Sequence, residues 1–357
     1  MIRILAESLA DEGLTNAQMC NAREIICRLD PERFHVSLFV EGEPDRRIER
    51  RPKTRLIRLP RKRQTATILR EFVLGGHDVL FYVKASPASR WYTRMRRWHK
   101  DKRVTIATIE SRSNWRDEPS ITPANIELIE QTVLRCDRLF SNSKAVQQSL
   151  LANYGLSSEV VPTGVDRGFF VPALERPENP RPRAIFVGSL RPFKGPQTVL
   201  AAAARLPHMD FVLTGDGPLR QELEEQARRL GNVALTGMLK PEQVREQLQK
   251  SDIFLFPSRW EGSPKVIMEA AACGLPVIAR RDYEPETVLD GKTGYLAGDD
   301  DELLARVAEL AASPGIRRAM GMAGRAHMQQ FDWDIVTRRW EEVFLRYAEG
   351  RNGGAAA

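Results

Sequence analysis

Two glutamates eight residues apart, Glu261 and Glu269, occupy a turn and the helix predicted to follow it. An apolar strand leads through Gly262-Ser263-Pro264 into this helix, and proline is common at a first helical position. Amides of the first turn, those of Lys265 and Val266 included, point toward a bound anion, and the helix dipole adds to the attraction. A carboxylate accepts two hydroxyl hydrogen bonds. The pattern therefore predicts a site for an anionic ligand that carries ribose or hexose hydroxyls.

This segment resembles the Glu-x7-Glu signature of the retaining nucleotide-sugar glycosyltransferases of the GT-B fold, in family 4 of that class. The resemblance covers nearly all of residues 183–350 and is weaker in residues 1–165, where Pro162-Thr163-Gly164-Val165-Asp166 is similar to the family's closing segment of the first domain. The other matching motifs follow in order: Phe186–Gly195, Leu213–Pro218, Thr236–Leu239, Tyr283–Glu286, Asp290–Gly294 and Phe331–Asp334.

The resemblance implies a role for each matching residue. Glu269 would hold the ribose hydroxyls of the donor, and Glu261 would lie beside the transferred sugar. The amides near Lys265 and Val266 would bind the distal phosphate, while Lys194 would balance the charge of the departing diphosphate.

Other donor-binding residues follow from the same resemblance. The backbone around Met238 and Leu239 would line the base, and Gly13, after the first strand, would allow close approach of the donor because it has no side chain. The family usually has an arginine where Ser189 stands, so that Arg191, two residues on, is the alternative second cation. Gly188, at the end of the preceding strand, completes the predicted donor-binding set.

A second departure from the family concerns Glu110, which aligns with the family's histidine at the end of a mid-domain strand. Its carboxylate could contact the transferred sugar or act on the acceptor hydroxyl, or it could simply cap a loop or pair with Arg112 or Arg116. We therefore name Glu110, together with Glu261 and Lys194, as a candidate catalytic residue.

No cofactor or metal is expected besides the substrate itself, a UDP-, GDP- or ADP-hexose. Cations and helix amides supplied by the protein can stabilise the leaving diphosphate without a divalent metal. Two Asp-x-Asp sequences exist, Asp299-Asp300-Asp301 and Asp332-Trp333-Asp334, but each precedes a helical pattern in which aspartate serves as a cap. We predict no metal site at either.

Short β-branched runs alternate with helical patterns along the whole chain, which indicates parallel sheets covered on both faces. We expect an α/β protein of the GT-B fold, with two Rossmann-like, doubly wound domains that face each other across a cleft where the ligands bind. The predicted domains are an acceptor domain (1–165), a proline-rich linker (166–182) and a donor domain (183–333). The last helix (334–357) is expected to cross back to the first domain.

Length and composition agree with a two-domain globular protein: 357 residues, 42% hydrophobic and 28% charged. No run approaches the ~20 apolar residues that span a bilayer. The amino terminus has no secretory pattern and the four cysteines form no C-x-x-C pair, so we expect a cytoplasmic protein.

The net charge of +7 is uneven, because residues 1–165 hold 28 Lys/Arg against 20 Asp/Glu. Residues 46–63 contain ten Lys/Arg, and residues 90–103 contain seven. In the second stretch Trp91, Met95 and Trp98 recur at helical spacing among arginines, the pattern of a helix that binds an anionic membrane surface. The alternative is a helix that packs these three residues on its own sheet.

We therefore expect a metal-independent retaining hexosyltransferase, whose acceptor is a carbohydrate, a lipid-linked molecule or a small molecule, in cell-envelope polysaccharide, glycolipid or glycoconjugate synthesis. Peripheral contact with the inner face of a membrane is one option. The alternatives are a sugar-nucleotide epimerase, a phosphorylase, or a non-catalytic basic protein that binds membrane or nucleic acid. Nucleic acid is disfavoured because no series of stacking aromatic residues accompanies the basic stretch at 46–63.

Overall fold

The computed structural model describes residues 1–13, 16–99, 101–117, 121–174 and 179–349. The chain forms two compact α/β units. The first holds residues 1–163 and the C-terminal helix, and the second holds Gly164–Asp332. The domain boundaries predicted from the sequence are residues 165 and 333.

Seven parallel strands form the sheet of the first unit, in the order β3-β2-β1-β4-β5-β6-β7. The strands are β1 (Ile2–Leu9), β2 (Phe34–Val40), β3 (Thr54–Arg58), β4 (Val79–Phe81), β5 (Val104–Ile109), β6 (Arg138–Ser141) and β7 (Glu159–Val160). The helices are α1 (Ala17–Arg28), α2 (Arg46–Glu49), α3 (Gln64–Leu74), α4 (Pro87–His99), α5 (Pro123–Gln131) and α6 (Lys144–Tyr154). The strand order reverses between β1 and β4, as in doubly wound folds.

Both faces of this sheet are covered. Along β1, Ile4 and Ala6 belong to one buried apolar cluster and Leu5 to another on the opposite face. Successive side chains of a strand point to opposite faces, so a strand buried on both sides needs apolar residues throughout rather than alternation. This explains why β1 and β2 contain apolar residues at successive positions, as in Ile4–Ala6 and Leu38–Val40.

The C-terminal helix, which we name α13 (Trp333–Glu349), packs on the first unit. The Trp340 ring lies 4.8 Å from that of Phe81, and the Phe344 ring lies 4.9 Å from it, both measured between centroids. These three side chains are buried, and each can stabilise the fold by about 1.5–3 kcal/mol through burial.

Six parallel strands form the sheet of the second unit, in the order β10-β9-β8-β11-β12-β13. They are β8 (Arg183–Val187), β9 (Asp210–Thr214), β10 (Val233–Gly237), β11 (Ile253–Phe256), β12 (Val277–Arg280) and β13 (Gly294–Ala297). The helices are α7 (Pro196–Arg205), α8 (Arg220–Leu230), α9 (Pro241–Gln249), α10 (Lys265–Ala272), α11 (Asp300–Ala312) and α12 (Pro314–His327). The order reverses between β8 and β11, and ligands of such sheets bind beyond the carboxyl ends of the strands at this point.

The predicted fold class, with its two doubly wound parallel sheets, is confirmed. Three of the elements are very short: α2, β7 and β13. Each has four residues or fewer, so that none has a periodicity that could be recognised in the sequence.

The stretch predicted as a linker packs on the second unit where the structure describes it. Phe170 is buried, and Arg245 lies 4.6 Å from the centroid of the Phe169 ring. Gln249 donates a hydrogen bond of 2.8 Å to the Val171 carbonyl. Within the described residues, no helix is both long and apolar enough to span a bilayer.

Candidate functional site

The carboxyl ends of three neighbouring strands in the second unit are joined by backbone hydrogen bonds. The Gly188 amide, after β8, donates to the Thr214 carbonyl at 2.9 Å, and the Gly215 amide, after β9, donates to the Gly237 carbonyl at 2.9 Å. These bonds hold the loops that contain three of the predicted donor-binding motifs in one row along the sheet edge.

Gly215 is required by both its conformation and its surroundings. Its φ is +136°, which L-residues rarely adopt, and an added Cβ would lie 1.9 Å from the Gly188 carbonyl oxygen. The loops after β8 and β9 approach each other so closely that only a residue without a side chain fits. Gly188 thus contributes through its backbone to the packing of this edge.

Lys194 and Glu261 form an ion pair, although they are far apart in the sequence. Lys194 ends a short 3₁₀ turn (Pro192–Lys194) after β8, while Glu261 lies in the loop after β11. The Lys194 Nζ atom also lies 5.4 and 5.6 Å from the ring centroids of Phe193 and Phe256. The two candidate catalytic residues of this unit are therefore brought together at the switch point of the sheet.

The two loops that carry this pair are docked on each other. The Arg259 amide donates to the Phe193 carbonyl at 3.0 Å, and the Ser258 hydroxyl donates to Glu261 Oε1 at 2.6 Å. Gly195 has φ +66°, and a Cβ there would lie 2.8 Å from the Pro257 carbonyl oxygen. Loop contact thus fixes the position of the Lys194–Glu261 pair.

Glu269 lies one turn into α10, and its carboxyl is in an unusual electrostatic environment. Burial raises the pKa of Glu269 to about 7, although Lys265 counteracts the shift. Pro264 precedes the helix and gives its first turn no side-chain cap. Lys265 and Val266, both half-buried, begin the helix as predicted, so that a cation and the amide-rich helix start lie one turn before the Glu269 carboxyl.

The remaining predicted donor residues lie at the same sheet edge with varied exposure. Met238 directly follows β10 and is 71% exposed, while Leu239 is half-buried. Ser189 is half-buried, and its carbonyl accepts a 2.9 Å hydrogen bond from the amide of the exposed Arg191. Met238 is thus a large apolar side chain that presents its surface to solvent beside the glycine-rich loops.

Sequence reasoning gave Tyr283 no individual role, yet it is one of the largest fully buried residues and lies near Glu261. Burial, with a contribution from the Glu261 charge, raises the pKa of Tyr283 well above its ordinary value. Within the described chain its hydroxyl has no hydrogen-bond partner. A buried hydroxyl without a hydrogen-bond partner lowers the stability of the fold, so this side of the site contains an unsatisfied polar group.

The acidic Asp299-Asp300-Asp301 run is occupied by other interactions. Asp299 caps α11 by accepting a 2.8 Å hydrogen bond from the Glu302 amide. Asp300 pairs with the buried Arg280 at 2.7 Å, and Asp301 pairs with Arg205 at 3.0 Å. In the part of the chain that the structure describes, no three His, Cys, Asp or Glu side chains are grouped so that they could hold a metal ion.

In the first unit, Gly13 and Glu110 follow β1 and β5 respectively. Gly13 has φ +79°, and a Cβ there would meet nothing within 4 Å, so that its backbone conformation is what requires glycine. Glu110 accepts hydrogen bonds from the Tyr82 hydroxyl at 2.6 Å and from Asn21 Nδ2 at 2.9 Å. Of the arginines considered as its partners, Arg116 pairs instead with Glu130 at 3.1 Å.

Tyr82 and Lys84, in the loop after β4, have no motif that would reveal them in the sequence. Tyr82 is buried with φ +57°, an uncommon conformation for a bulky residue, and burial raises the pKa of its hydroxyl well above the ordinary value. Both residues line a pocket of about 300 Å³ that also contains Glu110. The first unit therefore has its own pocket at the carboxyl ends of β4 and β5.

The helix in the basic stretch at 90–103 does not bury both of its tryptophans. α4 packs through Ala88, Ser89 and Tyr92, all buried, whereas Trp91 is 55% and Trp98 is 83% exposed. The alternative in which these two tryptophans pack on the sheet is wrong, because another face of α4 contacts the protein. Met95, between them, is half-buried.

Several basic residues of 46–63 are engaged in the fold. Arg51 is buried and donates to the Leu29 and Phe34 carbonyls, and Arg47 pairs with Glu24 at 2.6 Å. Arg55 pairs with Glu71 at 3.0 Å. This stretch is therefore partly structural, which reduces the positive charge available to a nucleic acid.

Two family models match the chain. One described as Glycosyltransferase Family 4 matches residues 22–169, and one described as Glycosyl transferases group 1 matches residues 181–313. Together they span most of the sequence.

Curated relatives are similar over most of the chain. A D-inositol 3-phosphate glycosyltransferase of Segniliparus rotundus is 29% identical over 326 residues, which cover 82% of this chain and 71% of the relative. A GDP-mannose-dependent alpha-(1-6)-phosphatidylinositol monomannoside mannosyltransferase of Mycolicibacterium smegmatis is also 29% identical, over 86% of this chain and 84% of its own length.

Solved structures share the fold at lower identity. Sucrose-phosphate synthase from Thermosynechococcus elongatus superposes with a TM-score of 0.80 at 20% identity, over 98% of this chain and 100% of that one. The Anabaena protein HepE, solved in complex with UDP, gives a TM-score of 0.75 at 17% identity, over 97% and 100% of the two chains. The motifs, the two parallel sheets and both family matches agree: the chain belongs to the family 4, group 1 glycosyltransferases and has the GT-B fold.

Proposed function

We propose that this glycosyltransferase moves a hexosyl unit from a nucleotide-diphosphate sugar, such as a UDP-, GDP- or ADP-hexose, to an acceptor hydroxyl with retention of the anomeric configuration. The observation that carries this proposal is the Lys194–Glu261 pair at the sheet edge, in which Glu261 lies in the loop that leads directly into α10. The names of relatives support a nucleotide-sugar donor, because one is GDP-mannose-dependent and HepE was also solved with UDP-glucose.

The chemistry of the donor explains why a lysine is needed. When the glycosidic bond breaks, the departing nucleoside diphosphate gains negative charge, and a preorganised cation lowers that barrier. Lys194 supplies a full charge, and the first-turn amides near Lys265 and Val266 supply partial charges at the distal phosphate. The ion pair with Glu261 holds the Lys194 side chain in one orientation before the donor binds.

Binding of the nucleoside is assigned to the other residues of this edge. Glu269, when ionised, accepts hydrogen bonds from both ribose hydroxyls, and the backbone around Met238 and Leu239 lines the base. Arg191 lies on the same loop as Ser189 and supplies a second cation to the phosphates. Glu261 lies beside the transferred sugar, where its carboxylate accepts a sugar hydroxyl.

The reaction is proposed to need no divalent metal. The charge of the diphosphate is balanced by Lys194 and the start of α10, and the acidic Asp299–Asp301 run is engaged in a helix cap and arginine pairs. Activity in the presence of EDTA, equal to that with added Mg²⁺ or Mn²⁺, is the expected outcome. A requirement for either ion would contradict this part of the proposal.

The test of donor use is a panel of sugar nucleotides. We expect calorimetry to show that the protein binds one of UDP, GDP and ADP more tightly than the other two. We also expect the protein to hydrolyse the matching hexose donor in the absence of acceptor. Glu269→Ala should abolish nucleotide binding, whereas Glu246→Ala, an exposed glutamate on α9, should leave it unchanged. Binding of no nucleotide, or equal binding by the Glu269 variant, would refute the proposal. The anomeric configuration of the product, read by NMR, tests retention.

The same panel separates the alternatives. A sugar-nucleotide epimerase would convert the donor sugar without releasing the nucleoside diphosphate. A non-catalytic protein would bind membrane or nucleic acid with no nucleotide selectivity. Release of a nucleoside diphosphate that depends on Lys194 would exclude both.

We further propose that the enzyme works on a cell-envelope polysaccharide, glycolipid or glycoconjugate at an anionic membrane surface. The specific observation is the pair of exposed tryptophans on α4, seven residues apart and thus on one helix face, with the exposed Arg94 between them. Tryptophan prefers the membrane interface, and each nearby arginine adds about 1 kcal/mol of attraction to anionic lipid.

A further inference from the structure

The pocket of about 300 Å³ in the first unit lies at the carboxyl ends of β4 and β5. Its polar lining consists mainly of side chains from three different segments: Gln18, Lys84 and the neighbours Glu110 and Ser111, with Trp115 as an aromatic wall. This volume is at the lower end of the range for small-molecule sites, so that it suits a ligand of about one sugar ring. Its polar groups converge on one cavity, as in sites that fix the orientation of a small polar ligand.

Lys84 and Glu110 are the two charged side chains among the described lining residues. The Lys84 ammonium makes no ion pair or hydrogen bond with the described part of the chain. Burial lowers the pKa of Lys84, and the charges of Glu7 and Glu110 oppose this shift. The N–H donors of the Lys84 ammonium are therefore available to a ligand in the pocket. The charges of two carboxylates, Glu7 and Glu110, act on this ammonium.

Both carboxylates are held by the protein. Glu7, buried on β1, accepts hydrogen bonds from the Lys84 amide at 2.8 Å and from the Ser86 and Ser89 hydroxyls at 2.6 Å. These bonds fix the loop that carries Lys84. Glu110 accepts hydrogen bonds from Tyr82 and Asn21, and these bonds fix the orientation of its carboxylate.

We infer that this pocket binds the acceptor and that the acceptor part that enters it is an uncharged polyhydroxyl ring, a sugar or cyclitol without a phosphate group. Lys84 donates to ring hydroxyls, Glu110 accepts from them, and Trp115 contacts the ring face. The inference rests on the proposed function, because it assigns the acceptor site of the same reaction.

Electrostatics exclude a phosphorylated ring from the same position. A phosphate monoester carries between one and two negative charges at neutral pH and would meet Glu110 in the pocket and Glu7 behind Lys84. The charges of Glu7 and Glu110 already act on the single lysine of the pocket, and like charges a few ångströms apart in a half-buried site repel strongly. The pocket thus differs from one expected for the D-inositol 3-phosphate of the relatives' names.

Ligand-observed NMR with the 357-residue protein tests this inference. The probes are glucose, mannose and myo-inositol, each paired with its monophosphate ester. We expect each neutral ring that binds to do so at least about tenfold more tightly than its phosphate. Glu110→Gln should weaken the neutral ring several-fold and tighten the phosphate, so that the preference falls or inverts. Lys84→Gln should weaken both. Glu127→Gln, which neutralises an exposed carboxylate on α5, should change neither.

The inference is overturned if a phosphate ester binds the unaltered protein more tightly than its neutral partner, if no neutral ring binds, or if Glu110→Gln leaves the ratio unchanged. Nucleotide titration of the same samples separates this outcome from failure of the proposed function. Selective nucleotide binding that requires Glu269, with a preference for phosphate esters, would refute the acceptor assignment alone. Absence of nucleotide binding would refute the proposed function whatever the sugars do.

Discussion

Lys194 and Glu261 are 67 positions apart in the sequence, yet they form an ion pair at the point where the strand order of the second sheet reverses. The ring centroids of Phe193 and Phe256 lie within 5.6 Å of the Lys194 Nζ atom, and the two rings restrict its movement. A charged group held in this way needs little reorganisation when a diphosphate leaves, which is the condition under which electrostatic catalysis is most effective.

Replacement of Lys194 by alanine should therefore lower kcat by about 10²–10³-fold, the effect of removing one preorganised donor to a developing negative charge. The measurement is release of nucleoside diphosphate under donor saturation. Lys292→Ala removes an exposed lysine of the same unit and serves as the control. A Lys194 variant with nearly unaltered kcat would contradict the assigned role.

Glu269 should make the stability of the protein depend on pH. Its pKa is raised from 4.5 to about 7, so the native state retains a proton that the unfolded chain has lost between these values. The free energy of unfolding therefore decreases as pH rises through this window and is affected no further above it. Because the residue is half-buried, the total effect is on the order of 1–3 kcal/mol.

The Glu269→Gln variant has no titrating carboxyl at this position. Its free energy of unfolding, compared with that of the unaltered protein at the same pH, should therefore increase by this amount between pH 5 and pH 8. Thermal or denaturant unfolding of both proteins at the two pH values measures it, and other titrating groups cancel in the difference. A difference that does not change with pH would show that the carboxyl is not desolvated.

Gly215→Ala should destabilise the protein by about 2–5 kcal/mol, since it combines backbone strain with a Cβ that overlaps the Gly188 carbonyl. Gly231→Ala is a matched control: its φ is +76°, but its Cβ would meet nothing within 4 Å, so about 1–2 kcal/mol is expected. Denaturant unfolding gives both values. Equal losses in the two variants would mean that the close approach of the two loops is not present in solution.

Membrane contact should depend on the exposed tryptophans of α4. The protein should sediment with vesicles of phosphatidylcholine and phosphatidylglycerol at low salt, and less so as salt screens the arginines. Vesicles of phosphatidylcholine alone should bind little protein. The double change of Trp91 and Trp98 to alanine should remove most binding, whereas Leu151→Ala, which truncates another exposed apolar residue of this unit, should not. Sedimentation unaffected by the double change would refute this interface.

One segment of the candidate donor site could be predicted because its residues are close together in the sequence. Glu261, Lys265 and Glu269 belong to one strand–turn–helix segment, so their spacing alone indicates a helix start with a carboxylate on each side of it. The strands could also be predicted from the sequence, because those buried on both faces consist mostly of apolar residues.

The pocket of the first unit could not be predicted in the same way. Tyr82, Lys84 and Glu110 follow different strands, and only the order β1-β4-β5 brings the ends of those strands side by side. No local pattern distinguishes Lys84 from the many other basic residues of this region. Its significance comes from burial and from the lack of an ion pair in the described structure.

The sequence by itself determined the alternation of strands and helices, the Glu-x7-Glu segment and the basic helix α4, because each depends on residues within a few turns of one another. The tertiary structure decided which distant loops meet, as for Lys194 and Glu261, and which face of α4 is covered. Helical periodicity defines two faces but not the one that packs. In this protein Tyr92 contacts Phe72 with ring centroids 5.4 Å apart, and that contact leaves Trp91 and Trp98 exposed.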